Sequence, residues 1–152
     1  MAKTTAGILL YRYHKGEPEV FLVHPGGPFW IRKDVGAWSV PKGELNENED
    51  ALLGAKREFE EETSIKVDGE FIALKPVKGS NSKIICIFAL QHDVDPSLVK
   101  SNLFSMEWPV KSGKFREFPE VDRGDWFSFE DALVKINKHQ VPVLQELKER
   151  IG

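Results

Sequence analysis

The chain has one cysteine in 152 residues, so it has no intrachain disulfide. That residue, Cys86, lies inside the apolar run 84–90 and reads as part of the core. No apolar run approaches the ~18 residues that a membrane span requires. The opening MAKTTAGILL has neither the long apolar core nor the cleavage site of a secretory signal, so a cytoplasmic location is the expectation. A basic excess is also missing. Lysine and arginine number 21 against 24 acidic residues, a net charge of −3. There is no broad positive field for nucleic acid. Repeats, low-complexity tracts and linkers are absent, and the length suits a single domain, 1–152, with a proper core.

What the chain does have is an acidic helix of unusual design. Residues 51–63 contain no proline and many strong helix formers. Asp50, or Asn48 before it, can supply the N-cap acceptor. Leu52, Ala55 and Phe59 recur at i, i+3 and i+7 and form an apolar stripe. Glu58, Glu61 and Glu62 sit at i, i+3 and i+4 and share another face. Like charges so spaced repel by roughly 0.2–0.5 kcal/mol per pair. They also crowd the negative end of the helix dipole, which disfavours anions by a few tenths up to about 1 kcal/mol. A helix selected only for solubility would carry lysine or arginine there. A hard divalent cation offsets such a cluster, because magnesium and manganese prefer carboxylate and phosphate oxygens.

Strands alternate with helices around this segment. Residues 4–13 and 19–24 read as a hairpin closed by His14-Lys15-Gly16-Glu17-Pro18. His14 and His24 read as a turn residue and a strand-end polar contact rather than ligands. Residues 25–36, PGGPFWIRKDVG, form a loop. Phe29, Trp30, Arg32 and Lys33 in it suit either a base and its phosphates or a cap over the core. Residues 37–40 read as a short strand ending in Pro41-Lys42-Gly43, with Lys42 placed to meet a phosphate. Strands are predicted at 66–73 and 83–92, the latter with an apolar run that suits burial on both faces. No element is predicted over 93–105. Residues 118–121 and 125–127 look extended. Helices are predicted over 129–137, capped by Ser128, and from Pro142, where Val143, Leu144, Leu147 and Ile151 form a stripe. This order predicts an α/β fold with a mixed sheet between helices.

The stretch 43–65 resembles the Nudix box, G-x5-E-x7-R-E-U-x-E-E-x-G-U. Gly43, Glu49, Arg57, Glu58, Phe59, Glu61, Glu62 and Ile65 match it, and Ser64 stands where the box has glycine. That glycine would end the helix with positive φ. Serine pays about 1 kcal/mol to do so, but the position carries no chemistry. The resemblance implies a Nudix-like α/β/α sandwich with a mixed β-sheet.

By resemblance, the activity is metal-dependent hydrolysis of a diphosphate linkage in a nucleoside diphosphate linked to X, with Mg2+ or Mn2+ as cofactor. Gly43, through its carbonyl, with Glu58, Glu61 and Glu62 would hold the metal. The base would be Glu61 or a later carboxylate, Glu117 in preference to Glu120. Glu49 and Arg57 would pair to orient the ligands. Lys42, Arg32, Lys33 and Trp30 are the candidate substrate contacts. WSVPKGE is similar to members acting on diadenosine polyphosphates. A nucleoside triphosphate, nucleotide sugar, ADP-ribose or diphosphoinositol phosphate remains open, because substrate contacts lie largely outside the box. The alternatives are a silent Nudix-fold nucleotide-binding or regulatory module, and an RNA 5′-end pyrophosphohydrolase using a local groove of Lys33, Lys42, Lys111 and Lys114. Net acidic charge disfavours RNA as a partner, no membrane partner is expected, and the sequence leaves oligomeric state open.

Overall fold

The computed structural model describes residues 3–152. Its strands are β1 (Thr4–His14), β2 (Glu17–Pro25), β3 (Lys42–Glu44), β4 (Ile72–Ala73), β5 (Val77–Lys78), β6 (Ile84–Gln91), β7 (Leu103–Glu107), β8 (Phe115–Pro119) and β9 (Val121–Ser128). The helices are α1 (Ala51–Thr63), α2 (Phe129–Lys135) and α3 (Val141–Ile151). Seven strands form one mixed sheet in the order β4-β6-β1-β2-β9, with β3 also on β1 and β5 on β6. Only β1 and β6 run parallel; the other pairings are antiparallel. β7 and β8 form a separate hairpin.

Alternation along the strands sends side chains to both faces. On one face Leu9, Leu22, Ile85 and Ile87 pack with Phe129 of α2 and Val143, Leu144 and Leu147 of α3. On the other, Ile8, Leu10 and Phe21 pack with Ala55 and Phe59 of α1. The expected α/β/α sandwich is therefore present. β6 serves both faces, with Ile85, Ile87 and Ala89 on the first and Cys86, Phe88 and Leu90 on the second. Among the described residues, no helix is long and apolar enough to cross a membrane.

Four expectations need correction. The strand predicted at 66–73 shrinks to Ile72–Ala73, because 66–70 is a charged, glycine-containing stretch in which only Val67 is buried. Residues 37–40 make only isolated bridges, Ser39 to Val23 and Trp38 to Ile136. The Val40 N–H is taken instead by the Gln140 side chain at 2.9 Å. The helix predicted to Asn137 stops at Lys135, since Ile136 turns extended and the Asn137 N–H bonds the Trp38 carbonyl. Residues 93–105 hold a 3-10 turn (Pro96–Leu98) and the start of β7.

Candidate active site

α1 begins where the Asp50 side chain accepts the Leu53 N–H at 3.1 Å. Its buried stripe is Ala55, Phe59 and Thr63, with Gly54 beside it; Leu52 is only half-buried. The helix ends as the sequence pattern requires, on a left-handed residue. Ser64 has φ 63°, and its N–H bonds the Glu60 carbonyl at 2.7 Å. Its hydroxyl also donates to the Lys100 carbonyl, a bond that a glycine cannot make.

The terminal carbonyls of α1 gather three distant segments around the helix end. A helix end leaves its last carbonyls without intrahelical partners. The Asn102 N–H takes the Glu61 carbonyl at 3.0 Å, and the Lys100 N–H takes that of Thr63 at 3.0 Å. The Asn102 carbonyl in turn accepts the Glu120 N–H, and the Glu120 carbonyl accepts the Gly26 N–H, both at 2.9 Å. This ladder ties the C-terminus of α1 to the start of β9 and to the 25–36 loop. It brings Glu120 into the field of the helix glutamates.

Glu58 lies against Gly43 of β3, so closely that a Cβ there would collide with its carboxylate. Burial pushes the Glu58 proton affinity up, with Glu61 adding repulsion and Arg57 opposing. Burial pushes Glu62 up to about 8; Lys42 opposes, and Glu120 and Glu58 add to the rise. Glu120 rises through burial and through Glu61. Burial lowers the Lys42 ammonium; Glu62 opposes and Lys83 adds to the fall. Three carboxylates thus hold protons more tightly than free ones, through burial first and neighbouring carboxylates second.

Glu49 is the opposite case. It takes Arg57 Nε and Nη2 at 2.9 Å each and the Asn46 N–H at 2.9 Å. The Arg57 hydrogen bonds lead in lowering its pKa to about 2. Arg57 Nη1 also reaches Glu58 at 2.9 Å and Glu61 at 3.1 Å. Among the described residues no three His, Cys, Asp or Glu side chains already converge as a metal cage. Arg57 Nη1 bridges Glu58 and Glu61. The donor set is all oxygen, which suits a hard cation.

A cleft of about 230 Å³ opens beside the cluster, lined by Trp30, Ser39, Lys42, Glu62, Glu120 and Gln140, among others. A larger cavity of about 350 Å³ lies on another side of α1, among Lys56, Arg57, Glu60, Lys66 and Asp68, and touches neither Glu62 nor Glu120. Of the predicted substrate contacts, Trp30 and Lys42 line the first cleft. Lys33 places its ammonium 4.9 Å from the centre of the Trp30 ring. Arg32 is exposed and makes no ion pair among the described residues. Phe29 and Trp30 do not cap the core: both are exposed, and Phe29 meets Trp108 edge-on.

Glu117, the later carboxylate preferred from sequence, is exposed on β8 opposite Ser105; Glu120 is exposed too, but it lines the cleft with Glu62. Glu120, three residues on, feels Glu61. Sequence reading passed over Gln140, which is buried and donates to Ser39 Oγ at 3.0 Å. A polar residue preceding an apolar helix carries no sequence signal of that role.

Comparison with known proteins gives a consistent picture. The NUDIX domain family model matches residues 1–147. Nudix hydrolase 7 of Arabidopsis thaliana is 28% identical over 126 residues, covering 76% of this chain. The chain spans 42% of that relative's length. The NUDIX domain of Shewanella oneidensis NrtR, solved with ADP ribose, superposes with a TM-score of 0.70 at 17% identity, covering all of this chain and 90% of that one. A C. elegans Ap4A hydrolase binary complex gives 0.66 at 20% identity, covering 99% and 98%. At these identities the structural likeness bears on fold.

Proposed function

The chain belongs to the Nudix family, and from that membership we propose a divalent-metal-dependent pyrophosphohydrolase acting on a small nucleotide or related diphosphate. The observation that carries this reading is that Glu62 and Glu120 line a cleft with Lys42 and Trp30 and lie in the field of Glu58 and Glu61. Glu58, Glu61 and Glu62, with the Gly43 carbonyl, are the proposed holders of Mg2+ or Mn2+. When bound, the metal would neutralise phosphate oxygens and acidify water.

The remaining roles belong to the chain's own groups. Lys42 meets the diphosphate as a point charge. Trp30, with Lys33 on its ring, offers a face to the base. Arg57 holds Glu58 and Glu61 in place and is itself held by Glu49. Glu120 or Glu61 takes the proton of the attacking water as the new P–O bond forms and the bridging P–O bond breaks. The cleft is smaller than the ~300–1,000 Å³ of a pocket that engulfs a drug-sized ligand. A nucleotide would lodge its diphosphate there and extend past Trp30 into solvent. Dinucleoside polyphosphates and ADP-ribose both have that form.

The test is product analysis by ion-exchange chromatography with magnesium or manganese. The panel is diadenosine tetraphosphate, nucleoside triphosphates, ADP-ribose, nucleotide sugars, a diphosphoinositol phosphate and triphosphorylated RNA. Metal-dependent cleavage that a chelator and Glu61→Gln both remove is the expected result. Nucleotide binding without consumption of any panel member would favour a silent binding module instead.

A further inference from the structure

His24 has a placement that its sequence context did not announce. It is fully buried, while His14 and His92 are exposed. Nδ1 lies 3.0 Å from Asp122 Oδ1, and Nε2 lies 2.6 Å from the Lys33 carbonyl. A carbonyl only accepts, so Nε2 carries a hydrogen and donates it. The Lys33 N–H returns to the Trp30 carbonyl at 2.9 Å, and the Trp30 N–H to that of Gly27 at 3.2 Å. Two successive turns therefore end on the buried imidazole.

Upstream, the loop is also held by the Gly26–Glu120 bond and the Phe29–Trp108 edge contact. Residues 29–36 are all exposed. Their downstream end is fastened separately: Trp38 donates to Asp34 at 2.8 Å, Lys135 pairs with Asp34, and the Trp38 ring stands edge-on to His24 at 5.2 Å. Between these ends, the stretch that carries Trp30 to the cleft is tied to the buried sheet through the Lys33 carbonyl.

We propose that His24 is a positioning residue that fixes residues 27–33 beside the glutamate cleft and sets substrate affinity through Trp30 and Lys33. The proposal rests on the hydrolase reading for its kinetic consequence but not for its structural one. Asp122 Oδ1, 3.0 Å from Nδ1, flanks the ring on its other side, and Nε2 faces the loop.

Two amides separate the contacts. A glutamine at this position carries its N–H₂ near the place of Nε2, and an asparagine near that of Nδ1. His24→Asn is expected to speed backbone hydrogen exchange in residues 27–33 by roughly tenfold, the scale of a lost bond from a buried donor. His24→Gln should stay within about threefold of the parent. In steady-state hydrolysis of the panel compound cleaved, diadenosine tetraphosphate first, His24→Asn should raise KM about tenfold and leave kcat within about threefold. In a Trp30→Ala background the same change should add less than about twofold, because the group it positions is gone.

If His24→Asn does not fold, His24→Leu, which carries no donor, is expected to loosen the same amides. Unchanged exchange in whichever of these variants folds would overturn the proposal. So would an equal loss of protection in His24→Gln, or a full KM effect without Trp30. A parent protein that cleaves no panel compound would sink the hydrolase reading alone, and the exchange data would still decide the role of His24.

Discussion

Glu49 and Glu62 belong to one motif and are driven in opposite directions. Glu49 accepts three N–H groups and is held down to about 2; Glu62 is buried beside other carboxylates and is pushed up to about 8. The first is a completed ion pair that braces a loop against α1. The second has no ion pair among the described residues; burial raises it and Lys42 opposes. A run of glutamates is thus not one feature but two, a completed ion pair and an unpaired acid, divided at Arg57.

The contrast can be broken most severely at the C-terminal end of the run. Glu61→Gln is expected to reduce metal-dependent turnover at least ~100-fold, the scale of losing one group from a charge-stabilising site. Its melting temperature without metal should change little, since the exposed ion pair lost with Arg57 and the repulsion relieved are of similar size. A variant that unfolds would show the glutamate to be structural.

Breaking the brace should have a different signature. Arg57→Gln removes hydrogen bonds to three carboxylates and is expected to cost about 1–3 kcal/mol of stability, read by urea denaturation. Added magnesium should restore part of that loss, because Glu58 and Glu61 would be left facing each other uncompensated.

Acidity sharpens the comparison further. Glu62 has a folded pKa raised from 4.5 to about 8. Its contribution to stability is full below 4.5 and is lost as pH rises through about 8. Glu49 runs the other way: its contribution is present above 4.5 and is lost as pH falls through about 2. A cation competing with protons reverses the Glu62 loss. The magnesium-induced rise in melting temperature should therefore be larger at pH 8 than at pH 5.5. At ten times its Kd the metal is worth about 1.4 kcal/mol. Equal shifts at the two pH values would count against ionisation of Glu62 on binding.

The smallest expected effect is at the helix end. Ser64→Ala keeps the left-handed backbone and loses the hydroxyl bond to Lys100, a loss of about 1 kcal/mol. Ser64→Gly loses the same bond but relieves the backbone, so its thermal melt should lie close to that of the parent.

Much of the fold was legible because its signals are local. Asp50 caps α1, a proline-free run comes after it, and β1 and β2 alternate around a short turn. The box residues were legible by spacing alone. What escaped depends on distant chain. Whether Glu117 or Glu120 faces α1 is decided by the backbone ladder through Asn102, which no local pattern encodes. Residues 37–40 have strand composition, but Gln140, a hundred residues on, takes the Val40 N–H that a ladder would use. His24 looked like a strand-end polar residue, and only the return of the loop through Lys33 makes it a buried tether.

The measurement that bears most directly on the central claim is manganese titration followed by electron paramagnetic resonance, with ADP present and absent. Saturable binding that is weakened in both Glu61→Gln and Glu62→Gln, and unaltered in Glu117→Gln, is the expected result. Manganese that binds the parent and the two box variants alike, or does not bind the parent even with ADP, would contradict a cation site at the C-terminal end of α1.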